Sequence, residues 1–472
     1  MPSALRSARS FPLLTLALLM TCSATAHAAH PTDVADAMDE DHPLEVDLEA
    51  TYTHTRRDLR ITRENLQTDP STGGKGVILV DELKNTRVDD QMNFHLTVGL
   101  YHDLELHFDV PLVLGSTQTW GYGEVNGASV QPVSTLDNNH IDISGCAGAS
   151  NPCDPNGAAK PILPGNGQTK RAGVADPTVG IAWAPIHESR EERLPPDIFP
   201  TAHTISSWVI GFDYTLPLPG DVDDPSKFGF AAATTPGATT TPTSHSLLRK
   251  AHIFSPWTGF SKRFKIMDPY FLLRATLPLV MRGAGVNDGA YDNCWHPENL
   301  ADVATQNCLL AAWKNQTGYQ PSYVGNFTLG TEFVAIETPR SEQKFAVDVH
   351  IDATWFSQGR TYSEVTDALG KLTYTDEHAQ FTGNLGFYGR AARWLHFRVN
   401  GQVGVDTAHF ITSEPIGKDL NGDGKILLSA GAATKSQEQN PTYDFRLDQV
   451  GRRLRAEATL LWGISGTLSL NF

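Results

Sequence analysis

The chain has 472 residues, 40% of them hydrophobic and 19% charged, with a formal net charge of −16 and an isoelectric point near 5.5. An acidic chain suits nucleic acid poorly, because phosphates demand basic patches, so no nucleic-acid partner is expected. Beyond the N-terminus no apolar run reaches the roughly eighteen residues that a membrane-crossing helix needs. That excludes helical spans and leaves strands open, since half of each barrel strand faces water or lumen.

Arg6 and Arg9 precede an apolar run from Phe11 to Met20, and Ala26-His27-Ala28 follows it. These are the parts of a secretory signal with its small-residue cleavage site. Residues 1–28 are expected to be a signal peptide, 29–43 a short periplasmic N-terminal segment and 44–472 the folded body. Leu19-Met20-Thr21-Cys22 is a lipoprotein alternative, made less favourable by the Thr before the Cys. No plug-sized domain is expected before Leu44, which argues against an energy-coupled receptor.

From Leu44 to Thr55, Leu44, Val46, Leu48, Ala50 and Tyr52 alternate with Glu45, Asp47, Glu49, Thr51 and Thr53, the period of a strand. An arm ending at Tyr101 carries Met92, Phe94, Leu96, Val98 and Leu100 on one face. After a turn at His102-Asp103, Leu104, Leu106, Phe108, Val110 and Leu112 oppose Glu105, His107 and Asp109. Further strands are predicted over Ala175 to His187, Ser206 to Leu218, Arg249 to Phe264, Pro269 to Met281, Ser322 to Ile336, Lys344 to Phe356, Glu377 to Arg390 and Trp394 to Phe410. The last alternation, Leu454 to Phe472, is longer than the five or six residues usual in a soluble strand. A membrane strand needs about nine to eleven.

Connections alternate in length. Short ones fall at His102, Lys265, Pro339 and Ala391, with His187 to Thr204 a middling member. Long ones run Ile61 to Leu83, Gly115 to Gly173, Gly220 to His245, Arg282 to Gln320 and Thr412 to Arg452. This asymmetry predicts an all-β, antiparallel up-and-down transmembrane barrel of about twelve strands, with short periplasmic turns and long extracellular loops. Repeats of equal length, which a propeller would require, are absent.

The closing strand ending on Phe472 resembles the terminal signature of bacterial outer-membrane barrels. The hairpin Gly99-Leu100-Tyr101-His102-Asp103-Leu104-Glu105-Leu106, with Val110-Pro111-Leu112 after it, resembles a broad channel-like group. That group includes outer-membrane proteins of phenol meta-cleavage pathways. The resemblance implies an outer membrane of a Gram-negative cell, contact with its lipid and lipopolysaccharide, and insertion by the barrel assembly machinery.

Of five cysteines, Cys22 lies in the signal; Cys146 with Cys153 and Cys294 with Cys308 form two local pairs in polar stretches. Loop-stapling disulfides are expected, because zinc spacing is missing. Counting inward from the short turns places Glu45, Asp47, Glu49, His107, Asp109, Asp348, His350, Asp352, His396 and Arg398 at similar depth. These are candidate pore-lining residues, either a cation-favouring ring or a mutually neutralising network that fills the lumen. Asp348-x-His350-x-Asp352 shares one strand face and could also bind a metal, against the simpler fact that any lumen face alternates polar residues.

Asp419, Asn421 and Asp423, with Gly422 and Gly424, resemble the first half of an EF-hand-type calcium loop. Ala430 stands where the bidentate acid belongs, so the expectation is weak calcium or a plain Asp/Asn/Gly turn, and no other cofactor. No Gly-x-Ser-x-Gly, His-Glu-x-x-His, P-loop or Cys-x-x-Cys pattern occurs. No catalytic residues are assigned and no enzyme is expected. The function expected is a porin-like channel for a small-molecule solute, aromatic or hydrophobic by the resemblance. The alternatives are a barrel-embedded lipid hydrolase and a surface adhesin or receptor using the long loops.

Overall fold

The structure, a computed structural model, describes residues 30–35, 37, 44–68, 73–125, 128–130, 166–187, 206–218, 251–280, 319–338, 343–369, 372–392, 394–426 and, with short breaks, 429–472. The long strands are β1 Val46–Thr68, β2 Lys75–Tyr101 and β3 Leu104–Tyr122. The fourth, β4, comes in two pieces, Gly167–Val174 and Thr178–Ile186, either side of Pro177. Then follow β5 Ser207–Thr215, β6 Ala251–Ser261, β7 Met267–Val280 and β8 Val324–Thr338. The last four are β9 Gln343–Phe356, β10 His378–Ala392, β11 Leu395–Asp406 and β12 Thr459–Asn471.

Each strand pairs antiparallel with the next in sequence. The ring closes where β12 pairs β1, from Asp47 opposite Asn471 to Asp58 opposite Leu460. Closure leaves the twelve-stave wall without a free edge, the condition for sheet to cross a bilayer. Among the described residues no helix is long and apolar enough to cross a membrane.

Side-chain parity sets the two faces. Leu48, Leu96, Phe212, Ile351, Leu385 and Leu468 are all exposed on the outer wall. In water such a continuous apolar belt would be an aggregation surface, and in a bilayer it is the contact surface. The protein is thus an integral outer-membrane β-barrel. On β1 the belt ends above Tyr52, where the outward positions become His54, Arg56, Asp58 and Arg60.

Two expectations are corrected. Ile61 to Leu83 is not a long loop, since β1 and β2 stay paired from Thr62 opposite Asp81 to Thr68 opposite Lys75. A bulge between Ile61 and Thr62 shifts the register there. The extra residue, Glu82 on β2, reverses the in–out phase of that strand and hides it from any search for unbroken alternation. The final alternation is likewise not one strand, because Leu454–Ala456 is a separate short piece before β12. Leu454 and Ala456 are fully buried, covered by loop rather than lipid.

Position on the belt generates a test. Ile464, half exposed on β12, should tolerate charge badly: Ile464→Lys is expected to cost about 2–4 kcal/mol if it sits near the bilayer midplane. Ser465→Lys, facing inward one residue along, should cost much less. Reversible urea unfolding in lipid vesicles measures both, and equal costs would mean that this wall does not face lipid.

Candidate functional site

The lumen is polar in its middle and stopped by chain at both ends. At the short-turn end, His30–Thr32 forms a single 3-10 turn, and Thr32, Val34, Ala35 and Ala37 are buried. Val34 packs with Ala182, Ala184 and Val209, small inward residues that leave room for a strand of chain inside the wall. Thr32 Oγ1 donates to Ser261 Oγ at 2.7 Å, and the Ala35 N–H donates to Glu105 Oε2 at 2.8 Å. His187, just past the end of β4, lies 3.3 Å from Asp103 and 3.7 Å from Asp33. Burial alone would lower the His187 imidazole, but the carboxylates of Asp103 and Asp33 beside it outweigh that and push its pKa up to about 9.

At the long-loop end, the connection between β9 and β10 folds inward. Its helix α1, Thr366–Leu369, puts Val365 and Ala368 into a small apolar core with Leu59, Ile61, Leu83, Trp120, Ile411 and Leu454. The Asp367 carboxylate accepts from Arg171 Nη1 at 2.7 Å and Nη2 at 2.6 Å, and from Thr169 Oγ1 at 2.8 Å. Arg57 bridges Glu364, at 2.9 Å, and Asp406. The Glu364 carbonyl accepts from Asn85 and Gln118 at 2.9 and 2.6 Å. Bidentate, charge-assisted bonds of this kind fix geometry as well as energy.

The sequence-predicted lumen residues do face inward, but they gather into separate networks. Asp109 accepts from Asn93 and lies 2.7 Å from His95 Nδ1. Tyr270 donates to Asp348 at 2.8 Å, whose other oxygen is 2.7 Å from His350 Nδ1. Asp352 accepts from Thr328 and from Asn384. Arg398 is close enough to Asp348 and Tyr270 to interact electrostatically. Glu45 accepts from Asn471 at 2.6 Å. One oxygen of Asp47 is buried with no hydrogen-bond partner among the described residues; Glu49 is half-buried, as is His396. A carboxylate already bonded to its wall neighbours offers a passing cation less than a free one does.

Asp213 was not singled out from the sequence. It stands 3.0 Å from His107 Nε2, accepts from Trp257 Nε1 at 3.0 Å and pairs with Arg274 Nη1 at 2.9 Å. A lone acid on β5 and a lone base on β7 are visible in the sequence, but nothing in it places them opposite each other. A second pair lies on the outer wall, where Asp90 accepts from Tyr52 Oη at 2.7 Å and lies 2.8 Å from His54 Nδ1. Among the described residues no serine or cysteine is hydrogen-bonded to that imidazole, so a hydrolase nucleophile has no representative there.

In the loop Asp419 to Lys425, the Asp419 carboxylate accepts from the backbone of Gly422, Asp423 and Gly424, at 2.6, 3.2 and 2.7 Å. The bonds from Gly424, Gly422 and Asp423 hold that carboxyl below its ordinary range. Asn421 donates to Asp423. This is the chemistry of a self-capped Asp/Asn/Gly turn. Among the described residues no group of three His, Cys, Asp or Glu side chains is placed to hold a metal ion. Cys146, Cys153, Cys294 and Cys308 lie outside the described residues.

No protein-family model matches the chain, and no curated protein matches it. Among solved structures it is similar to an outer-membrane channel from Pseudomonas putida F1, with 8% identity, 90% of this chain and 95% of that chain covered, and a TM-score of 0.35. A FadL homologue from Pseudomonas aeruginosa gives 9%, 91% and 90%, with 0.33. The outer membrane protease OmpT from Escherichia coli gives 6%, 91% and 96%, with 0.27. Likeness this distant, reaching a channel and a protease alike, does not fix function.

The raised His187 sets a pH dependence. Its contribution to holding the inner segment is complete below the ordinary imidazole range and is lost as pH rises through about 9. Hydrogen-exchange protection over 30–37, corrected for intrinsic exchange, should therefore fall between pH 7 and pH 10. His187→Gln should remove that fall, and an unchanged wild-type profile would contradict the clamp.

Proposed function

We propose that the protein is an outer-membrane channel that passes a small polar or amphiphilic solute through its lumen, drawn with both mouths narrowed by its own chain. The observation that carries this reading is the pairing of a hydrogen-bonding interior with two inserted segments. A barrel that served only as a wall would fill its lumen with side chains alone, whereas segments held by a few bonds at each mouth are displaceable. The inner segment is short and fixed by Thr32, Ala35 and Asp33. The outer one is fixed by the Asp367–Arg171 pair, with side chains 2% and 8% exposed, together with the Arg57–Glu364 bridge and the bonds to the Glu364 carbonyl.

The lipid-hydrolase alternative finds a His54–Asp90 pair on the lipid side, and among the described residues no serine or cysteine is hydrogen-bonded to that imidazole. The channel reading asks for no further group.

Planar-bilayer recording tests the channel reading, and absence of conductance from folded protein would sink it. Removing one partner of a buried ion pair costs about 3–5 kcal/mol because the other charge is stranded. Asp367→Asn should therefore free the loop between β9 and β10 and raise unit conductance several-fold. A conductance equal to wild type would show that this loop does not govern passage.

A further inference from the structure

Much of the charge on the lumen wall is spent on its neighbours. Lys344 lies 2.6 Å from Glu332, Asp109 is bonded to His95 and Asn93, and Asp348 to Tyr270 and His350. Four inward groups are not spent in this way. Among the described residues Arg390, Arg398, Asp47 and Glu49 make no side-chain hydrogen bond or ion pair. All four are half-buried on the inner face of the wall, where the bore reaches them.

The ladder sets these four on two sides of one stretch of wall. Arg390 on β10 stands opposite His396 on β11, and Arg398 follows two residues later on the same face, so the two arginines are diagonal neighbours. The row from Arg390 runs on through His396 and Ser469 to Glu49 on β1, with Asp47 two residues before it. At about 4.8 Å per stave, roughly 14 Å of wall separates Arg390 from Glu49. Between them stand Ser469 and Thr467, the latter with its hydroxyl 2.9 Å from that of Thr51. These are uncharged and too short to neutralise either side. The charged neighbours are engaged elsewhere: His95, opposite Glu49, has its ring nitrogens 2.7 Å from Asp109 and 2.8 Å from Thr97.

Each side is also crowded with its own sign. Glu45, Asp33, Glu49 and Glu105 all lie within electrostatic reach of Asp47. Crowded carboxylates favour an arriving cation, and two adjacent guanidiniums with open N–H groups favour an arriving carboxylate. A simple anion entering here meets the acids, and a simple cation meets the arginines. A small molecule charged oppositely at its two ends answers both sides at once.

We propose that the inward faces of β1, β10 and β11 form a binding site for a small zwitterion, its carboxylate held by Arg390 and Arg398 and its ammonium by Asp47 and Glu49. The site deepens the channel reading and rests on it for its meaning, though not for its detection. Isothermal titration of folded, detergent-solubilised protein at pH 7 with γ-aminobutyrate, butyrate and butylamine tests it, with heat-modifiable migration confirming the fold of every variant. γ-Aminobutyrate should bind at least about tenfold more tightly than either partial analogue, because each lacks one charge-assisted contact.

Arg398→Gln should weaken γ-aminobutyrate about tenfold while butylamine binds no more weakly than before. Glu49→Gln should weaken γ-aminobutyrate to a similar extent while butyrate binds no more weakly. A merely structural role for these residues would not split the analogues in opposite senses. Equal binding of γ-aminobutyrate and either analogue by wild type, or undiminished γ-aminobutyrate binding by folded Arg398→Gln, would overturn the proposal. Should Arg398→Gln fail to fold, undiminished binding by Glu49→Gln overturns it instead. Bilayer recordings on the same preparation separate the two ideas. γ-Aminobutyrate binding without conductance removes the channel reading alone, and conductance without γ-aminobutyrate binding removes this site alone.

Discussion

Hydrocarbon offers a backbone N–H or C=O no partner, so a strand wall in a bilayer must close on itself. The pairing of β12 with β1 meets that requirement, and the other features follow from it. Closure at twelve staves fixes a lumen wider than wall side chains need to fill it and narrower than an open porin. It also fixes the two faces, because parity that carries leucine outward carries glutamate, histidine and asparagine inward.

The lumen then faces a difficulty of its own. Inward charges taken partly out of water are costly unless hydrogen-bonded, and the wall answers by knitting them across strands. Tyr270 on β7 reaches Asp348 on β9, Thr328 on β8 reaches Asp352, and Asn384 on β10 closes the set. At the mouths the solution is apolar instead. Val34 rests on Ala182, Ala184 and Val209, while Val365 and Ala368 join Leu59, Ile61 and Ile411. The molecule is oily outside, polar in the middle of its bore, and carries a small apolar core near each end.

What was legible in the chain was whatever has period two. The outer face of β12, from Leu460 to Leu468, and the inward placement of Glu45, His107, Asp348 and His350 follow from alternation alone. The top of the β1–β2 hairpin was not legible, because one extra residue on β2, Glu82 opposite the Ile61/Thr62 step, reverses the phase of that strand. Neither was the inward course of residues 30–35, which have no period and are placed by partners such as Glu105 and Ser261. Asp367 and Arg171 are unremarkable residues in their own segments, and only the fold makes them a pair. Asp213 and Arg274 fail for the same reason, since a partner two staves away depends on a register that no local pattern encodes.

The central claim is closure, and it has a direct measurement. Thr51 on β1 and Thr467 on β12 stand opposite each other with hydroxyl oxygens 2.9 Å apart. In the paired variant Thr51→Cys, Thr467→Cys, oxidation of membrane-inserted protein should form an intramolecular disulfide, and the heat-denatured chain should migrate faster until reduced. Each single substitution and wild type, whose own pairs Cys146/Cys153 and Cys294/Cys308 can close only short local loops, should show no comparable shift. Failure of the paired variant to cross-link while folded, or cross-linking only between molecules, would contradict the closed barrel.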